Sequence, residues 1–148
     1  MNADWSSPIL IQRLQDADVL PTLQRLAVGA VILQKPTHLT AEQVLEIAHE
    51  HLPGLSRATV YATLQLFVRR GLLRELVIDG ESTVYDSNTT PHHHLYHLDT
   101  GLVEDLPLAA IRMTSLPDIG SDYELANVDV ILRVRRRKDA AMGQATPA

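Results

Sequence analysis

The chain has 148 residues, 45% of them hydrophobic, with 13 Lys and Arg against 18 Asp and Glu for a net charge of −5; this suits one folded domain or two small ones sharing a core. It contains no cysteine, which excludes disulfides, a thiolate zinc site and thiol catalysis, so a metal must be held by His, Asp or Glu, ligands suited to ferrous iron, manganese or zinc. No apolar run approaches the ~20 residues of a membrane span, and the start "MNADWSSPIL" lacks a basic segment ahead of an apolar one, so a cytoplasmic protein with no membrane partner is expected.

The first half reads as successive helices. In "SSPILIQRLQDA", Ser7 is placed as N-cap and Pro8 as first helical residue, with Ile9, Leu10 and Leu14 as the apolar stripe. Pro21 ends that segment and Thr22 caps the next, where Leu23, Leu26, Ala27, Ala30 and Val31 recur at helical spacing. Thr40 and Gln43 have the form of a capping box for "AEQVLEIAHEHL", with Val44, Leu45 and Ala48 inward. Ser56 caps "RATVYATLQLFVRRG", which Gly71 ends, and Val60, Leu64, Phe67 and Val68 are its expected buried face.

The period then changes. "LLRELVID" and "STVYDS" around Gly80 read as a hairpin, so residues 1–86 form a winged helix-turn-helix domain. Residues 87–91 read as a linker. Residues 92–136 read as strand, strand, short helix from Pro107 and last strand, a small α/β unit with an edge available for pairing, and 137–148 as a disordered tail. The fold class is α+β. A helix-turn-helix sets the N-terminal part of its second helix in the major groove. There Arg57 can donate to phosphate or guanine, Thr59 to phosphate, and Tyr61 offers a ring to a thymine methyl and a hydroxyl to the backbone. The same three helices also serve as a plain packing or protein-interaction unit. The net acidity argues against general nucleic-acid coating, though the run "RVRRRK" at 133–138 is a local basic cluster.

"TPHHHLYHLDTG" holds His92, His93, His94 and His97, four of the seven histidines in the chain. Side chains alternate along a strand, so His92 and His94 share one face and His93 and His97 the other. Two imidazoles bind weakly alone, and the next strand offers Glu104 and Asp105. A two-residue turn at Thr100-Gly101 sets 96 opposite 105 and puts Asp105 on the His92/His94 side and Glu104 on the other; a three-residue turn reverses this. The bland alternative is a solvated polar strand, and an imidazole can also ligate haem iron. No helix-borne metalloprotease motif or nucleophile elbow is found, so no enzyme is expected.

Together "PTHLTAEQVL", "LSRATVYATLQLFVRRGLL", "HHHLYHLDTGLVEDL" and "YELANVDVILRVR" resemble the ferric uptake regulator family, dimeric metal-responsive transcription factors, over about residues 14–135. The triple histidine, the missing cysteines and the basic end most resemble its iron response regulator branch, whose members respond to haem as well as metal. The resemblance implies an interdomain site of His38, Asp86, His92, His94 and Asp105 for Fe2+ or Mn2+, with Zn2+ able to substitute, and leaves His93 as haem candidate. It implies a homodimer on palindromic promoter DNA, mainly a repressor of iron and haem homeostasis genes. The alternatives are a plain ferrous or manganous sensor without haem response, or a metal-binding interaction protein that has lost DNA binding. Departures from the family pattern are specific. His97 and Thr100 stand where the family commonly has a Cys-x-x-Cys zinc pair, so no structural zinc is expected there. His93 replaces an Asp of a second site, at which Pro91 and Val128 replace His. The branch's Cys-Pro haem motif is missing. Leu20 and Ala62 stand where relatives carry basic residues.

Overall fold

Pro8, whose ring presets the helical φ, opens α1 (Pro8–Asp16); Ser7 precedes it but its side chain makes no capping hydrogen bond. The computed structural model describes residues 5–80 and 82–139, so most of the expected disordered tail, from residue 140 on, lies outside the described residues. The chain divides into two units, Met1–Thr90 and Pro91–Ala148.

In the first unit α1 buries Leu10 and Leu14, while Ile9 is 81% exposed. The expected stripe was too wide, because residue 9 sits about 100° around the helix from residue 10 and falls outside the i, i+4 row. In α2 (Leu23–Ile32) the Thr22 hydroxyl accepts from the Arg25 N–H at 3.4 Å. Here Leu23, placed on the apolar stripe by its spacing, is exposed, and Val28 and Ile32 are buried instead. Gly29 is the point of closest approach: a Cβ there would stand 3.1 Å from Leu10 Cδ1. α3 (Ala41–His49) starts at the expected capping box, Gln43 N–H to Thr40 Oγ1 and Thr40 N–H to Gln43 Oε1. It buries Val44, Leu45 and Ala48 and stops at His49. α4 (Arg57–Arg69) is capped by Ser56, whose hydroxyl accepts from the Thr59 N–H at 3.1 Å. It is followed by Gly71 at φ +73°, a left-handed position that favours glycine. Val60, Leu64 and Phe67 are buried as expected; Thr63 joins them, and Val68 is only half-buried.

The wing has three strands, where the sequence pattern shows only two. β2 (Arg74–Val77) and β3 (Thr83–Asp86) form the expected antiparallel hairpin. β1 (His38–Thr40) pairs along the other side of β3, giving the order β1-β3-β2. Three residues leading into a helix carry no readable alternation, so only the pairing defines β1. Past β3, the Ser87 N–H donates to the Thr37 carbonyl and the Thr37 N–H to Ser87 Oγ. The segment expected as a linker therefore begins hydrogen-bonded to the first unit.

In the second unit β4 (His93–His97) lies between β5 (Val103–Leu106), antiparallel, and β6 (Ile131–Val134), parallel. The helix expected from Pro107 reduces to a single 3-10 turn, Leu108–Ala110. A short helix needs a buried face to persist, and Leu108, Met113 and Leu116 are all exposed. The alternating stretch "YELANVDVILRVR" pairs only from Ile131, where β4 supplies a partner. No apolar residue of this unit is buried among the described residues; its buried side chains are His92, His93 and His94.

Candidate metal centre and reading helix

The loop between β4 and β5 decides which acid meets which histidine. His97 and Leu102 close it, leaving four residues, 98–101, with Gly101 at φ +74°. Of the two turns the sequence leaves open, the two-residue one would set 96 opposite 105; the observed register sets Tyr96 opposite Val103 and His94 opposite Asp105. The shift is by two, an even number, so the faces are unchanged. Asp105 Oδ1 lies 3.1 Å from His92 Nε2 and 3.6 Å from His94 Nε2. The two imidazoles meet edge to face with centroids 4.4 Å apart.

The first unit assembles a second pair by the same device. β1 and β3 place His38 directly across from Asp86, and His38 Nε2 lies 3.3 Å from Asp86 Oδ2. Asp86 is 1% exposed, and its other oxygen accepts from the Asn88 N–H. A buried carboxylate is costly without a cation or donors around it. Ligand atoms about 2.1 Å from a common ion stand about 3–3.5 Å apart, which is the spacing within each of these groups. Imidazole nitrogen with carboxylate oxygen is a donor set that Fe2+, Mn2+ and Zn2+ all accept.

The opposite face of β4 has different contents. His97 Nε2 and Glu104 Oε1 are 2.8 Å apart, so Glu104 falls on the His93/His97 side as the even loop requires. His93 is fully buried, its Nδ1 accepting the Val130 N–H and its Nε2 without a hydrogen-bond partner among the described residues. His93, the haem candidate of the sequence, is thus held inside with the Val130 N–H on its Nδ1. Two histidines outside both groups have local partners: the exposed His49 meets the Leu55 carbonyl through Nε2, and the half-buried His51 makes an edge contact with Trp5.

The three reading-helix residues occupy the first turns of α4. Arg57 and Tyr61 are exposed, and Thr59 accepts from the Ser56 hydroxyl at 2.8 Å. The sequence reading missed Glu42, in the first turn of α3. Its Oε1 pairs with Arg57 Nη1 and receives the Tyr61 hydroxyl at 3.5 Å. The signal was only an acid beside a helix cap, which the helix dipole explains without reference to α4. Farther along, Gln65 donates to Glu75 and to the Tyr85 hydroxyl. Burial pushes the Tyr85 phenol up, with Gln65 acting against that and Glu75 adding to it.

Comparison with known proteins agrees with this architecture. The model of the ferric uptake regulator family matches residues 17–133. The chain is 32% identical over 95 residues to the peroxide-responsive repressor PerR of Staphylococcus aureus, an alignment that covers 64% of each chain, so it spans just under two thirds of that relative's length. Its fold is similar to that of the ferric uptake regulator from Pseudomonas aeruginosa solved with manganese, at TM-score 0.66 and 27% identity over 88% of this chain and 99% of that one. The Vibrio cholerae ferric uptake regulator matches at TM-score 0.64 and 26% identity, covering 85% and 98%. With its winged helix, its histidine-led strand and a family match over most of its length, the chain belongs to the ferric uptake regulator family.

Proposed function

We propose that this protein is a metal-responsive transcriptional regulator, mainly a repressor, that binds promoter DNA as a homodimer and catalyses no reaction. The observation that carries the reading is the pair of matched half-sets: His38 with Asp86 in the first unit, and His92 and His94 with Asp105 in the second. Asp86 and His92 are six residues apart in the chain, so one ion can draw on both sets. An ion held by both would fix the angle between the units, and in a dimer that sets the spacing of the two α4 helices on DNA. Fe2+ or Mn2+ is the proposed effector. The ion supplies charge and a coordination geometry; the five side chains supply donors that are otherwise held by each other.

The dimer is supported by the second unit itself. Leu102, Met113, Tyr123 and Leu132 are exposed and its other described apolar residues are at most half-buried, and a small domain that fully buries none of them gains stability when a partner covers them. β6 is an edge strand and can pair with its own copy about a two-fold axis. Iron and haem homeostasis genes are the proposed targets. Haem as a further effector has one supporting observation, the unpartnered Nε2 of His93, and requires that ring to swing out.

The decisive experiment measures DNA binding of the metal-free protein, with Mn2+, with Fe2+, and with haem, beside the His92→Ala/His94→Ala double variant. Metal is expected to change DNA affinity in the wild type, with the double variant losing both metal binding and that response. Equal metal affinity in the two proteins would overturn the site. A wild-type response to haem that His93→Ala abolishes would establish the haem reading; no such response removes it.

A further inference from the structure

We infer that Glu42 is a positioning residue for sequence discrimination: it holds Arg57 for base edges and disfavours capture of phosphate by α4. The inference rests on the DNA-binding reading above. Glu42 and Arg57 are both exposed, so their pairing adds little to stability and its consequence lies in what Arg57 is left able to do. The carboxylate occupies Nη1 of Arg57. A guanidinium has five N–H donors in a fixed fork, so others remain for the O6 and N7 acceptors of guanine. A phosphate approaching the same arginine must come up beside an anion.

The two flanks of α4 reinforce this. On the α3 and wing side the groove beside the helix is lined by Glu42, Glu75 and Tyr61; on the α2 side it is lined by Arg25, Arg69 and Thr59. The backbone of a bound duplex is therefore drawn to the Arg25/Arg69 flank and repelled from the Glu42/Glu75 flank. That orients the duplex across α4 with Arg57 and Tyr61 toward the bases. An arginine without such a partner would take any phosphate within reach and raise non-specific binding.

The test uses the full chain with MnCl2. Wild type selects a duplex from a random-sequence pool, and affinities for the selected and a scrambled duplex are measured across a salt series. Glu42→Gln is expected to bind the scrambled duplex several-fold tighter, with a salt slope steeper by about one phosphate contact. Its selected-to-scrambled ratio should fall about tenfold, the scale of one bidentate base contact. Glu42→Asp should restore most of the ratio, and the Glu42→Gln effect should vanish on an Arg57→Ala background. An unchanged ratio in Glu42→Gln, or an effect that persists without Arg57, overturns the role of Glu42 alone. A wild type that enriches no sequence overturns the DNA-binding reading and this inference with it.

Discussion

The two units solve the problem of burial in opposite ways. The first closes an apolar core over Leu14, Ile32, Leu64 and Phe67, and its polar groups are spent on caps and the wing ladder. The second buries three imidazoles and no apolar side chain among its described residues. An apolar core is self-sufficient because dispersion and the hydrophobic effect need no counterpart. Buried imidazoles need polar partners, which Asp105 and the Val130 N–H supply; the ion and the second copy proposed above would add to these. The first unit thus carries its own apolar core, while the second, among its described residues, does not.

That contrast can be broken by experiment, the largest effect first. Phe67→Ala should leave a cavity in the first unit and destabilise it by about 3–5 kcal/mol, read from urea unfolding. A loss below about 1 kcal/mol would show that this core is not what holds the unit. Leu132→Asp places a charge on the exposed apolar surface of β6. It should turn a dimer into a folded monomer in sedimentation while the helical signal of the first unit stays; an unchanged mass would place the dimer surface elsewhere. Thr40→Ala removes one half of the capping box and should cost about 1 kcal/mol, with α3 fraying at its start in hydrogen exchange. Smallest is an alkaline effect. Tyr85 is buried and its phenol is raised above the ordinary value of 10.0, so the unfolded chain releases that proton first. Its contribution is fully present below that value and is lost as pH rises past it. Tyr85→Phe should flatten the stability curve in that alkaline range, and an identical slope in both proteins would remove Tyr85 as its source.

What could be read from the sequence follows from how local each feature is. The starts of α2, α3 and α4 are written in Thr22, Thr40 and Ser56, because a cap is a contract between residues three apart. The side of β4 on which Asp105 falls was left open by the residues, since two- and three-residue turns give opposite faces, and only the family resemblance pointed to the His92/His94 side. Parity survives any even change, so the four-residue loop gives the same faces as the two-residue turn. The helix expected from Pro107 failed for the converse reason: its apolar spacing is real, but nothing in the second unit covers it. The width of the α1 and α2 stripes was misjudged at Ile9 and Leu23, since periodicity names a face without its edges.

By itself, then, the sequence determined the helix caps, the α+β order, the division of the histidines between two faces of β4 and the family resemblance. All of these depend on residues near one another in the chain or on their order. Only the tertiary structure decided that His38 lies in a strand across from Asp86, that His93 is buried with its Nδ1 against Val130, and that Glu42 reaches Arg57 fifteen residues on. Each is a meeting of side chains from elements separated in sequence. No local pattern encodes such meetings, because they depend on how the helices and strands pack.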